Sequence, residues 1–262
     1  MTAQNNFYDA AVIGLGTMGS FAALELAQRG ALVVGFDQFR PPHHRGSHGG
    51  ETRIFRVAYR EGSGYVPLVK QAGELWDHWG ERFGTKLLHR VGLLHMGREE
   101  EGSIREVKLC ANRNQLQLET LGWSDIRKRY PAFHVPETYV GLLDPEGGWL
   151  DVDAAVGGSL LEAKRLGASI RLDTSVLGWR SEGANIAVDT SEGSFTVRKL
   201  IVSAGAWTAR ILRDLKLDLR VRRKVVAWFE PLQPELFAEG SLPIFIFPEN
   251  AIYGFPNIAG RG

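Results

Sequence analysis

The stretch Tyr8-Asp-Ala-Ala-Val-Ile-Gly-Leu-Gly-Thr-Met-Gly19 decides the fold. A short apolar run ends in Gly14-x-Gly16-x-x-Gly19, a helical segment follows, and Leu32-Val-Val-Gly-Phe-Asp37 closes on an acid. This order predicts a strand, a tight turn, a helix and a second strand. In such a unit the first glycine permits the turn and the second lets the backbone approach a pyrophosphate. The third lets helix and strand pack closely. The helix N-terminus offers unpaired N–H groups and the positive end of its dipole to phosphates. Asp37, eighteen residues after Gly19, stands where an acid accepts hydrogen bonds from a ribose hydroxyl. In this context the motif predicts a dinucleotide site rather than an ordinary glycine-rich turn.

The bulk numbers bound the rest. The chain has 262 residues, enough for one large domain or two ordinary ones. At 44% hydrophobic and 23% charged it has the composition of a water-soluble globular protein. A formal net charge of +1 gives no electrostatic case for nucleic acid or an anionic membrane as partner. No apolar run approaches the ~20 residues of a membrane span. The N-terminal apolar stretch lacks a basic leader and a cleavage site, so it reads as strand and helix, not as a signal peptide. The single cysteine, Cys110, cannot form an internal disulfide, and a reducing, cytoplasmic setting is expected. It falls in an amphipathic pattern, Ile104 to Leu116, where a small buried apolar residue is the plain reading. The seven histidines show neither HExxH nor Cys/His ligand spacing, so no metal site is expected.

Along the chain, Ser20–Gly30 reads as the first helix with Gly30 at C′. Arg40–Gly50 is a loop, dense in proline and glycine. Tyr65–Phe83 is helical by period, with Leu68, Ala72, Leu75 and Trp79 on one side. Leu87–Met96 reads as a strand pair or bent strand, followed by a polar helix. Ser124–Tyr130 reads as a short helix with Ser124 as N-cap, stopped by Pro131. Tyr139–Asp144 is a strand, Asp151–Leu166 a helix, and Ser169–Leu172 and Val176–Trp179 are strands. Asn185–Asp189 and Ser194–Arg198 form a hairpin. Lys199–Val202 is an apolar strand running into small residues, with a helix on to Leu215. Lys224–Phe229, Ile244–Phe247 and Ala251–Pro256 are strand-like. The expected class is α/β (α+β overall): a dinucleotide-binding domain at residues 1–86 and 147–217, with an inserted β-rich substrate domain at 87–146 and 218–262.

The loop after Asp37 separates nicotinamide from flavin. Pro41-Pro-His-His-Arg-Gly-Ser-His-Gly-Gly-Glu-Thr-Arg-Ile-Phe-Arg56 resembles the corresponding loop of the monomeric sarcosine oxidase and N-methyl-tryptophan oxidase family. The resemblance continues through Glu61–Leu68, Glu74–Trp76, Lys199–Trp207, Arg223–Trp228 and Tyr253–Pro256, covering almost the whole chain in order. It implies an FAD-dependent amine oxidase with a glutathione-reductase-type FAD domain. It further implies that Gly14, Gly16, Thr17, Met18, Gly19, Asp37 and Gln38 hold the ADP half. Ser47, His48, Thr52 and Arg53 would wrap pyrophosphate and flavin, Val176 would meet the adenine, and Ala204, Gly205 and Trp207 would return beside the cofactor. Arg56 would take the substrate carboxylate through a bidentate fork, with Arg53 nearer the flavin ring and Tyr253 near the substrate pocket. Independently of the family, Gly, Ser and Arg in one loop supply donors suited to phosphate oxygens.

Two departures accompany the resemblance. The family loop often reads Ser-His-His-Gly, whereas here it is Ser47-His48-Gly49-Gly50, which points away from sarcosine itself as substrate. The cysteine that links flavin in relatives, and the lysine assigned there to oxygen activation, have no counterpart within these residues. The chain is therefore expected to be about the N-terminal two-thirds of a family member. The expected reaction oxidises a secondary amine or N-methyl amino acid, with O2 reduced to H2O2, in a monomer. The alternatives are a non-catalytic FAD-binding fragment and an NAD-dependent dehydrogenase. The β-rich insertion argues against the dehydrogenase.

Overall fold

The computed structural model describes residues 6–59, 61–258 and 260. Arg60 lies outside that set. In chain order the elements are β1 (Phe7–Ile13), α1 (Thr17–Gln28), β2 (Val33–Phe36), β3 (Thr52–Phe55), α2 (Tyr65–Phe83), β4 (Leu88–His89) and β5 (Leu93–Arg98). They continue with α3 (Gly102–Asn114), β6 (Glu119–Leu121), α4 (Trp123–Arg129), β7 (Tyr139–Asp144), β8 (Gly148–Asp151), α5 (Val152–Arg165) and β9 (Ser169–Arg171). The last are β10 (Val176–Glu182), β11 (Asn185–Thr190), β12 (Gly193–Val202), α6 (Thr208–Ile211), β13 (Ile244–Phe247) and β14 (Ile252–Gly254).

Contacts divide the chain into two compact units, residues 1–52 with 152–224, and residues 53–151 with 225–262. The sequence-based division set its boundaries at 86/87, 146/147 and 217/218. The first difference comes from α2, which packs on Phe55, Leu88 and Cys110, all in the second unit.

The first unit is a six-stranded sheet in the order β10-β11-β12-β1-β2-β9. β12, β1, β2 and β9 run parallel, and β10 and β11 continue the sheet antiparallel from β12. All four residues of β2 are buried, as expected of a central parallel strand. One apolar cluster joins Ala11, Ile13, Val34 and Phe36 to Val188, Phe195 and Val197. The second strand of the hairpin and the apolar strand, read separately from the sequence, are one ten-residue strand, β12. Its first half, Gly193–Val197, pairs with β11, and Thr196–Val202 pairs with β1. Helix α1 ends as the composition predicts: Gly30 takes φ +81° at C′, and its N–H reaches the Ala27 carbonyl at 2.9 Å.

The second unit holds a five-stranded sheet, β14-β13-β5-β7-β6, and a small sheet, β3-β8-β4. Leu94, Met96, Ile126, Tyr130, Phe133 and Leu143 form one of its cores. Helix α2 has the expected length but a different buried face. Val66, Gly73, Trp79 and Gly80 are buried, whereas Leu68 and Leu75 are 63% and 49% exposed. The periodic leucines misled because Val66, Trp79 and two glycines define the packed seam, with Trp76 partly buried beside it. The N-cap of α4 lies two residues earlier than expected: it is Gly122, and Asp125 accepts the Gly122 N–H at 3.1 Å. Ser124 therefore lies inside the first turn. No described helix is long and apolar enough to cross a membrane.

Two further expectations differ. The helix expected to run to Leu215 is broken into short turns at Gly205–Trp207, Thr208–Ile211 and Arg213–Leu215. Residues 217–230 adopt no regular structure, with Val225 and Phe229 85% and 76% exposed, although Lys224–Phe229 alternates like a strand. Alternation alone does not make a strand, because its N–H and C=O groups need a neighbour to bond.

Asp144, buried at the end of β7, organises the second unit. Its carboxylate accepts the N–H groups of Val57 at 3.0 Å, Ala58 at 3.3 Å and Glu146 at 3.1 Å. Burial pushes its pKa above the ordinary 3.8, partly offset by those backbone donors. A raised folded-state pKa contributes stability that is full below the unfolded value and lost as pH rises through the folded value. Asp144→Asn should therefore flatten the loss of stability that the parent chain shows across that window, measured by thermal unfolding between about pH 3 and pH 7.

Glycine substitutions test the first unit. A Cβ on Gly19 would lie 1.8 Å from the Gly14 carbonyl oxygen, whereas one on Gly157 in α5 meets nothing within 4 Å. Gly19→Ala should destabilise by roughly 2 kcal/mol or more. Gly157→Ala should stabilise by about 0.5–1 kcal/mol. Chemical denaturation of the two variants beside the parent chain checks both signs.

Candidate functional site

The site is built where β1 ends. The chain leaves Ile13 through Gly14 at φ +88°, a conformation costly for any residue with a Cβ. The Gly14 N–H donates to the Phe36 carbonyl at 2.8 Å, tying the turn to the end of β2. From the other side, the Ser203 hydroxyl donates to the Gly14 carbonyl at 2.8 Å. A Cβ on Gly14 would sit 2.6 Å from the Ser203 carbonyl oxygen. The turn is thus clamped between the ends of β2 and β12, and α1 begins immediately beyond it. Gly16 is the helix N-cap and supplies no side chain to occupy the first-turn amides. Those amides and the helix dipole form a place for negative charge.

A cleft of about 360 Å³ opens there, within the usual range for ligand sites. It lies at the carboxyl ends of β1 and β2, where chain connections diverge to opposite sides of β1. Asp37 is 8% exposed in its wall. One carboxylate oxygen accepts the Leu15 N–H at 2.8 Å and the other the Phe39 N–H at 2.9 Å. Each oxygen keeps a further lone pair for a ligand hydroxyl. The acid therefore also holds the glycine turn in place.

The loop after Asp37 folds over the cleft through two imidazoles. His43 Nδ1 accepts the Arg45 N–H, and His48 Nε2 accepts the His43 N–H, both at 3.2 Å. His43 Nε2 faces the Asp37 carboxylate at 3.8 Å. The other end of the cleft is apolar. Phe39 and Trp207 meet edge to face at 5.6 Å, beside Val176, Leu177 and Ile211. The Trp179 indole N–H donates to the Ile211 carbonyl at 3.0 Å and holds that wall.

Of the residues selected from sequence, Gly14, Gly16, Thr17, Met18, Asp37, Gln38, Ser47, His48, Val176, Ala204, Gly205 and Trp207 line this cleft. Gly19 lies behind the turn, its missing side chain giving the Gly14 carbonyl its room. Thr52 does not line the cleft; its hydroxyl bonds the Gly50 carbonyl at 3.4 Å. Arg53, Arg56 and Tyr253 belong to the second unit. Arg56 donates to Glu61 Oε1 at 2.8 Å and lies 4.3 Å over the Tyr59 ring. Tyr253 is 53% exposed on β14 opposite Ile246, with its ring edge to face with Phe255 at 6.2 Å. The lining residues that sequence reasoning did not select include Phe39, His43, Thr174, Leu177, Ser203 and Arg210. Ser203 carried a signal, as the small residue directly after an apolar strand; the others sit at no diagnostic spacing.

The donor set, the acid and the apolar slot suit the phosphates, ribose and base of a dinucleotide. Comparison with known proteins is specific about which one. The profile of the family described as FAD dependent oxidoreductase (DAO) matches residues 9–261. Monomeric sarcosine oxidase from Bacillus sp. (strain B-0618) is 34% identical over 99% of this chain and 68% of its own length. N-methyl-L-tryptophan oxidase from Yersinia pestis (strain Pestoides F) is 35% identical over 95% of this chain and 67% of its own. Among solved structures, NikD, an amino acid oxidase of nikkomycin biosynthesis, superposes with TM-score 0.75 at 25% identity. That match covers 80% of this chain and 54% of NikD. L-proline dehydrogenase from P. horikoshii, 20% identical, shares the fold with TM-score 0.79 over 98% of this chain and 69% of its own. The chain thus spans about two-thirds of the curated relatives and just over half of NikD. It belongs to the family of FAD-dependent oxidoreductases.

Proposed function

We propose that this protein oxidises a secondary amine or N-methyl amino acid, with FAD as cofactor and O2 as the second substrate, reduced to H2O2. The observation that carries the reading is the clamped Gly14–Gly19 turn with an uncapped helix start and Asp37 in one cleft. The names of the sarcosine and N-methyl-tryptophan oxidases, 34% and 35% identical, supply the substrate class.

FAD, when bound, supplies a two-electron acceptor for the C–H bond beside the amine nitrogen. The chain's residues do the binding and orienting. The first-turn amides of α1, with Ser47 and His48, hold the pyrophosphate, and Asp37 accepts from ribose. Thr52 and Arg53 belong to the flavin side. Arg56 receives the substrate carboxylate: its guanidinium has five donors, of which Glu61 engages one in this structure. Tyr59, lying under the guanidinium, restrains its plane, and a planar fork matches a carboxylate in two bonds at once. Tyr253 borders the substrate side. The protein works as a cytoplasmic monomer.

Purification after expression with added riboflavin tests the cofactor. A yellow chain showing the two visible flavin bands is expected, and a folded, colourless chain that takes up NAD+ but no FAD would replace this reading with the dehydrogenase one. Arg56→Ala should raise the apparent KM for carboxylated amines by about two orders of magnitude, the loss typical of an unpaired carboxylate partner. Flavin content should stay at the parent level. A KM close to the parent value removes Arg56 from that role.

A further inference from the structure

We propose that Arg210 is the purine-binding residue of the cleft, laying its guanidinium plane on the adenine of the bound cofactor. The inference rests on the FAD reading of that cleft and adds the residue that recognises the base.

Several arginines around this sheet are paired with acids, while Arg45 packs over the Phe39 ring. Arg40 pairs with Asp173, Arg171 with Glu192, Arg180 with Asp189 and Arg198 with Asp9. Arg210 is exposed, lines the cleft, and makes no ion pair or side-chain hydrogen bond among the described residues. It is a cation available at the mouth of a ligand site.

Its place along the cleft identifies the group it meets. The donors suited to phosphate cluster at the Gly14–Gly19 turn and at Ser47 and His48. Arg210 is carried instead on the turn of helix that follows Trp207, on the wall with Leu177 and Ile211. The Trp179 indole fixes that wall through the Ile211 carbonyl, and the Trp207 ring is held against Phe39. The surroundings are therefore flat, aromatic and apolar, and a second guanidinium, that of Arg45, already packs 4.6 Å over the Phe39 ring, so this end of the cleft accommodates guanidinium planes on aromatic faces. A guanidinium beside such a slot stacks on a heteroaromatic ring, which lysine cannot do because its ammonium is a compact, strongly hydrated point charge. Base stacking on arginine planes is a general mode of nucleotide recognition.

Calorimetric titration of the parent chain, Arg210→Ala and Arg210→Lys with ADP and with adenosine tests the placement. Arg210 is exposed, so both variants should melt within experimental error of the parent. Arg210→Ala should weaken ADP and adenosine by a similar factor, about three- to tenfold, and Arg210→Lys should stay near the alanine variant. Unchanged affinities in Arg210→Ala overturn the proposal. So does a loss confined to ADP, which would make Arg210 a phosphate donor, and so does full recovery in Arg210→Lys. A parent chain that binds neither ADP nor adenosine removes the cofactor reading, and this inference with it; that outcome is distinct from variants indistinguishable from a parent that does bind.

Discussion

The first unit depends on how closely one turn can be held between two strand ends. Ser203 donates its hydroxyl to the Gly14 carbonyl, Gly14 donates to the Phe36 carbonyl, and Gly19 leaves no side chain to push the helix away. With the turn fixed, the axis of α1 and the direction of its first amides are fixed as well. Polar groups held in place before a ligand arrives need little reorganisation when they bind it. The sheet behind them is rigid because β1 is hydrogen-bonded on both edges, to β12 and β2.

Asp37 shows how one acid in the cleft wall ties two segments together. An acid at this position reads in sequence as a ribose acceptor. In the fold, its two oxygens also accept the Leu15 and Phe39 amides, so it joins the glycine turn to the start of the following loop. Removing the acid would leave two amides without their acceptor. The two imidazoles of His43 and His48 act similarly one step further on. Each accepts a backbone N–H within the loop that covers the cleft, so residues with ligand-binding chemistry also shape the loop.

Much of this was legible in the sequence, where local chemistry dictates local form. The glycine spacing, the all-apolar β2 and the C′ glycine of α1 each follow from a steric or hydrogen-bonding rule that few residues away can override. The errors arose where the deciding partner is distant. The buried face of α2 is set by Phe55, Leu88 and Cys110, not by its own leucines. Lys224–Phe229 has the alternation of a strand without a neighbour to bond it. The apolar end of the cleft was largely invisible because Phe39, Thr174, Leu177 and Arg210 come from three separated segments that only the folded sheet brings together.

The pairing of β1 with β12 places Ala10 opposite Lys199. The strand that completes the middle of the sheet is therefore made nearly two hundred residues after its neighbour. At roughly 5–20 residues per second on a ribosome, β1 waits about 10–40 s for that edge to be covered. During this interval its apolar residues and half of its backbone groups are open to the solvent and to other chains. The same long separation is a pairing of high contact order, which closes slowly, and it leaves β1 exposed on that edge until β12 emerges.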